Sequence, residues 1–127
     1  MKTAKEIELG MNGFYGTEVY HQWSFLFKNM YLTDGAQYIA VECGAFWLMD
    51  AIASHLPAYR ESGFACVTLK VEEGLGELVI TDGNEKVLAT QAIGYTDFPL
   101  RFIKFYVEQG ADEDGNVNWV ILLPGEH

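Results

Sequence analysis

From residue 36 to residue 55 the chain is apolar on nearly every side of a helical projection. Val41, Ala45, Leu48, Ile52 and Leu56 recur at helical spacing, and Ile39, Ala40, Cys43 and Trp47 fill the opposite side. A helix with so little polar surface is a buried one. Leu32-Thr33-Asp34-Gly35 supplies its start: the Asp34 carboxylate accepts from first-turn amides, and Gln37, three residues on, reaches back. Pro57 disfavours helix at Leu56 and ends the run. Whether the segment is one long helix or two shorter ones turns on Gly44, because a mid-helix glycine costs about 1 kcal/mol relative to alanine.

Past residue 63 the period changes from helical to two. Ala65, Val67, Leu69 and Val71 alternate with Cys66, Thr68, Lys70 and Glu72, the pattern of a half-buried strand. Residues 75–81 and 85–93 flank Asp82-Gly83-Asn84, a hairpin turn signal. Residues 101–109 and 119–123 complete five strands, joined by the polar turn 110–118. Consecutive strands with short turns predict an antiparallel meander, so the expected fold is α+β, with the buried helix packed across one sheet face. Ahead of the helix, GFYGTEVYHQWSFLF is aromatic and β-branched, and predicts extended segments over 18–23 and 25–31. In the fourth strand Ile103, Phe105 and Val107 point one way, while Phe102 and Tyr106 point the other with Lys104 and Glu108. One face covers the helix. The second apolar face needs a cover of its own, either the aromatic-rich residues 13–31 or a second subunit, a homodimer.

Composition narrows the function classes. The 127 residues are 50% hydrophobic and 14% aromatic, enough for the packed core of one domain spanning residues 1–127. Net charge is −10. It is uneven: residues 1–63 carry 4 basic and 7 acidic side chains, net −3, and residues 64–127 carry 4 and 11, net −7. The basic residues are scattered singly, so direct nucleic-acid binding through phosphates is not expected, nor is attraction to an acidic membrane surface. A protein partner with a basic face fits the charge, as does a plain solvated surface. Residues 1–13 contain no apolar run able to serve as a signal-peptide core, and no stretch approaches the ~20 apolar residues of a membrane span. The expected location is cytoplasmic, with Cys43 and Cys66 reduced.

Candidate chemistry is sparse. A continuous helix sets Cys43, Trp47, Asp50 and Ser54 on one face, a thiol and a carboxylate within two turns. Cys43 and Asp50, with Asp97, are the candidates for a pocket between helix and sheet, the enzyme alternative to a binding protein. Against it, buried structural cysteines are inert, and His55 sits on another side of the helix. The aromatic loop at 94–100, with Tyr95, Asp97, Phe98 and Pro99, is either a recognition surface or a corner plugging the end of the helix. Tyr95, Phe98, Phe102 and Tyr106 are thus the candidate binding residues. His21, His55, His127 and the cysteines show no metal-ligand spacing. Residues 112–118 resemble the start of a calcium loop, but glycine comes two places early and position twelve is Leu123, which suits an acidic hairpin tip better. No cofactor motif is present among these segments.

Several motifs together resemble a family of small uncharacterised bacterial proteins, often of mobile-element origin. They are Leu32-Thr33-Asp34-Gly35, Tyr38-Ile39-Ala40, the run from Gly44 to Ser54, Gln91-Ala92-Ile93, the run from Tyr95 to Leu100, and Leu122-Leu123-Pro124-Gly125-Glu126. Cys43 stands where that family's pattern suggests a small residue such as alanine. The resemblance implies one domain and a cytoplasmic bacterial, plasmid or phage setting. It brings no activity and no site residues. The expected function is therefore a non-enzymatic, acidic interaction protein. One form of it offers carboxylates in place of phosphates to a nucleic-acid-binding enzyme.

Overall fold

In the computed structural model, which describes residues 2–111 and 114–127, four helices cover one face of a six-stranded mixed sheet. The helices are α1 (Ala4–Met11), α2 (Asp34–Glu42), α3 (Phe46–Ser54) and α4 (Leu56–Tyr59). The strands are β1 (Met30–Leu32), β2 (Phe64–Glu72), β3 (Leu75–Thr81), β4 (Val87–Ile93), β5 (Phe102–Ala111) and β6 (Val117–Leu122), in the spatial order β1-β6-β5-β2-β3-β4.

The long helix is two helices, and glycine is the reason. Gly44 has φ +58°, a left-handed conformation that side chains resist. Its N–H donates to the Val41 carbonyl at 3.3 Å and the Ala45 N–H to Ala40 at 2.8 Å, the paired bonds of a Schellman stop. The chain then restarts as α3 at Phe46. This shifts the helical phase, so Val41 leaves the predicted apolar stripe and is 57% exposed, while Ala45, Leu48 and Ile52 stay fully buried. The start differs too. Thr33, not Asp34, is the N-cap, its Oγ1 accepting from the Ala36 N–H. Pro57 does not end the helical path either, because it sits in the first turn of α4, where its missing N–H is not needed.

The sheet departs from a simple meander. β2, β3 and β4 follow one another through two tight turns, the first with φ 51° at Glu73 and 78° at Gly74. Residues 94–101 then carry the chain back across the end of the sheet, and β5 pairs with the free side of β2. This crossover is held where Thr96 N–H meets the Gly74 carbonyl and Val71 N–H meets that of Arg101, both at 2.8 Å. β6 pairs antiparallel with β5, and β1 adds a sixth strand in parallel with β6, Met30 beside Trp119 and Leu32 beside Ile121. Such a parallel neighbour leaves no local trace in the sequence, because its partner lies far along the chain. Of the predicted N-terminal strands only Met30–Leu32 and a single bridge at His21 form. Residues 4–11 are instead helical, started by a reciprocal capping box between Thr3 and Glu6.

One core joins the layers. Ile39, Leu48, Met49 and Ile52 from the helices meet Val67, Leu69, Ile80, Phe105 and Ile121 from the sheet, all 1% exposed or less. Among the described residues, the opposite sheet face carries no helix layer. Helix α1 packs on α2 rather than across it, and only the last turn and the loop at residues 17–20 reach its border. No helix among the described residues is long and apolar enough to cross a membrane.

Candidate binding groove on the open face of the sheet

Strand alternation places Tyr31, Val120, Leu122, Tyr106 and Glu108 on the open face, and register brings them together. Tyr31 lies beside Val120, Val120 beside Glu108, and Leu122 beside Tyr106. Tyr31, Val120, Leu122 and Glu108 line an open groove of about 470 Å³ together with Thr17, Tyr20 and residues 109–111, and Tyr106 stands next to it beside Leu122. Its charged lining residues are Glu108 and Glu126, with no lysine or arginine.

Two clasps shape it. The first is built on the start of α2. The Asp34 carboxylate accepts from the Glu18 N–H at 3.0 Å and pairs with His21 Nε2 at 2.8 Å, while the Asp34 N–H donates to Thr17 Oγ1. The hydrogen bond to His21, then that from Glu18, hold the Asp34 carboxyl below its ordinary value of 3.8. Glu126 closes the other side. Its carboxylate accepts from Gly35 N–H at 3.0 Å, Thr33 Oγ1 at 2.6 Å and Leu123 N–H at 3.0 Å. The first-turn amides of α2 at Asp34, Gly35 and Ala36 thus all have acceptors within the chain. The helix dipole faces carboxylates already in place, so this end of α2 is no anion site.

The depressed Asp34 carboxyl sets a sign for pH. Its contribution to stability is present above the unfolded value and is lost as pH falls through the lower folded one. Asp34→Asn is expected to be less stable than wild type at neutral pH, with the difference closing below pH 3.8. Thermal unfolding between pH 7 and about 2 checks this, and a pH-independent difference would contradict it.

The second clasp is His127. Its Nε2 pairs with Glu108, and its ring stands edge-on to Tyr106 and Phe64, with centroids 5.2 and 6.1 Å away. Lys104 Nζ lies 5.4 Å from the Tyr106 ring centroid. An imidazole beside a carboxylate and edge-on to two aromatic rings shows what this corner accommodates: a flat ring with a polar edge.

The predicted catalytic candidates are placed apart from this groove. Cys43 ends α2, is 5% exposed, and burial pushes its thiol up to about 11, so it stays protonated at neutral pH. The break at Gly44 separates it from the α3 face that carries Trp47, Asp50 and Ser54. Asp50 is exposed and accepts from Trp23 Nε1 at 2.8 Å. Asp97 is exposed in the crossover loop. His55 contacts Gln91 Oε1 at 2.7 Å rather than either cysteine. Among the aromatic candidates, Phe98 is 5% exposed and stands edge-on to Trp47, so it plugs the start of α3, whereas Tyr95 is 85% exposed on the same loop. Phe102 is half-exposed beside Arg101 and Lys70, and Tyr106 belongs to the His127 corner. Among the described residues no group of three or more His, Cys, Asp or Glu is placed to hold a metal ion. Asp112 and Glu113 of the calcium-like stretch lie outside the described residues.

Sequence reasoning did not single out Thr17, Tyr20, Tyr31 or Glu126. Tyr31 carried a signal, the alternation of Met30-Tyr31-Leu32. Glu126 carried none for its role at α2, because Gly35 and Thr33 are 91 and 93 residues away.

A four-helix layer on a mixed six-stranded sheet, with an acidic and aromatic groove on the bare face, defines an α+β protein with one open side. The chain belongs to a family of unknown function, DUF6876, which matches residues 5–127. No curated protein and no solved structure matches the chain.

Proposed function

We propose that this chain is a non-enzymatic interaction protein whose open-face groove receives a basic segment of a protein partner. The observation that carries the reading is the groove lining: its charged residues are carboxylates, and one of them, Glu108, already holds an imidazole against Tyr106 and Phe64. A partner arginine or lysine would displace His127, pair with Glu108 and lie against the rings. Tyr20, Tyr31, Val120 and Leu122 would bury the stem of that side chain. The chain's −10 charge speeds encounter with a basic face and makes the complex sensitive to salt. The setting in this reading is a bacterial cytoplasm, with a plasmid- or phage-borne protein acting on a nucleic-acid-binding partner.

A fluorescently labelled oligo-arginine peptide tests it, with oligo-glutamate as control. Binding is expected at low salt and should weaken about tenfold or more between ~50 and ~300 mM salt. Glu108→Gln should weaken it several-fold, and Glu8→Gln on α1, the same change of charge far from the groove, should not. Equal affinity at both salts, or equal losses in the two variants, would overturn the reading.

A further inference from the structure

We propose that β4 is a homodimerisation edge, through which two copies pair antiparallel and join their six-stranded sheets into one. β4 is the last strand in the sheet order, and no strand lies beyond it among the described residues. It runs for seven residues, Val87–Ile93, and one side of its backbone therefore carries a row of donors and acceptors without a ladder partner. The other edge is different in kind. β1 is three residues long, and its outer side is closed by the bridge from His21, whose N–H and C=O both bond Leu32.

Exposed edges in monomers are normally guarded by lysine, proline or an inward charge. Val87-Leu88-Ala89-Thr90-Gln91-Ala92-Ile93 has none of these, although the chain as a whole carries 26 charged residues, 8 basic and 18 acidic. One irregularity is present, a register shift against Ile80 and Thr81. It falls at the Val87 end and leaves residues 89–93 in regular register with β3. On the open face this stretch presents Thr90 and Ala92, both exposed and small enough for close approach of a second strand.

The absence of charge also identifies the occupant. A basic partner finds nothing on β4 to pair with, whereas a second copy meets no like charge there. A two-fold axis at Gln91 sets Thr90 of one copy against Ala92 of the other, small residue against small residue. It directs Lys86 of each copy toward the Gly94 end of its partner, which keeps the two lysines apart. An edge of this length makes a small interface, so the dimer belongs to the weak, concentration-dependent class.

The test is sedimentation equilibrium of the full chain from about 1 to about 200 µM, at low and high salt. The expected result is a mass rising from 14.3 kDa toward twice that value, with association unchanged or tighter at high salt because screening reduces repulsion between two acidic chains. This is opposite to the salt response of the groove, so failure of either idea is told from failure of the other. Thr90→Lys and Ala92→Lys should each shift the midpoint at least tenfold toward monomer, while Val79→Lys, on the same face one strand inward, should not. Amide hydrogen exchange of the wild type gives a second readout that needs no variant: protection at residues 87–93 should rise with protein concentration. A monomer throughout, a dimer indifferent to Thr90→Lys and Ala92→Lys, or exchange independent of concentration would each overturn the proposal.

Discussion

Replacing Tyr59 with alanine is expected to cost about 3–5 kcal/mol and to lower the thermal midpoint by roughly 10–20 °C. Tyr59 lies in the short helix α4 yet is fully buried. Its ring stands edge-on to Trp119 of β6 with centroids 5.4 Å apart, and its hydroxyl donates to the Ile52 carbonyl of α3 at 3.0 Å. The residue thus ties two helices to β6 of the sheet. Burial holds its hydroxyl protonated well above the ordinary tyrosine range, so it remains a donor at any working pH. Truncation leaves a ring-sized cavity and removes one of two donors to the Ile52 carbonyl, which keeps the His55 N–H. Tyr59→Phe separates the two, and should cost only about 1 kcal/mol because the ring remains. Chemical denaturation of the three proteins decides it. A cost for Tyr59→Ala below about 1.5 kcal/mol would mean that this part of the core is not packed as described.

The second large effect is expected at Glu126. Glu126→Ala removes the acceptor for two backbone N–H groups and one hydroxyl, and also the negative charge at the start of α2. About 2–3 kcal/mol should be lost. Gly35→Ala probes the same place from the other side. A Cβ there would fall 2.5 Å from Glu126 Oε1 and 2.8 Å from Leu123 Cδ1, so carboxylate or backbone must shift, at about 1–3 kcal/mol. Gly35 is needed here for proximity, since it lies within α2. The two changes should not add. With the carboxylate gone, alanine at position 35 meets only Leu123, and the double variant should be more stable than the sum predicts by about 1 kcal/mol or more. Strict additivity would show that Glu126 does not sit against Gly35 in solution.

What the sequence revealed follows the range of the forces concerned. The strands from residue 64 onward were legible because period-two alternation is local. Leu75–Thr81 forms as predicted, and Phe64–Glu72 and Val117–Leu122 lie within two residues of their predicted bounds. The buried helical segment was legible for the same reason. Its break was only half legible: glycine costs are visible in sequence, but whether Gly44 turns left-handed depends on where Ala45 must pack. The strand order was not legible. Nothing in residues 94–101 signals that the chain will cross to the far side of β2, and nothing in Met30-Tyr31-Leu32 names β6 as a neighbour. Residues 18–29 misled, because their aromatic and β-branched content reads as strand while most of them lie in irregular backbone fixed by side chains such as Asp34 and Asp50. Phe102 and Tyr106 do lie on the second sheet face, as the alternation predicted, but Phe102 stands away from the groove, beside Lys70 and Arg101. The groove itself needed the register of three strands, which no single segment carries.

The Glu126 clasp also bears on the order in which the molecule can be made. Helix α2 is complete early along the chain, but two partners for its first turn arrive late: Glu126 for Thr33 and Gly35, and the β6 carbonyl of Ile121 for the Thr33 N–H. β1 likewise waits for β6. A chain leaving the ribosome N-terminus first therefore holds its central helix without its anchors until the last segment emerges, and no early half is finished by itself. Sequence-distant closure of this kind slows folding, because the entropy of a long loop must be surrendered before the contact forms. The nascent chain spends that interval with Ile39, Leu48 and Ile52 still searching for their sheet, the stage at which a chaperone has most to hold.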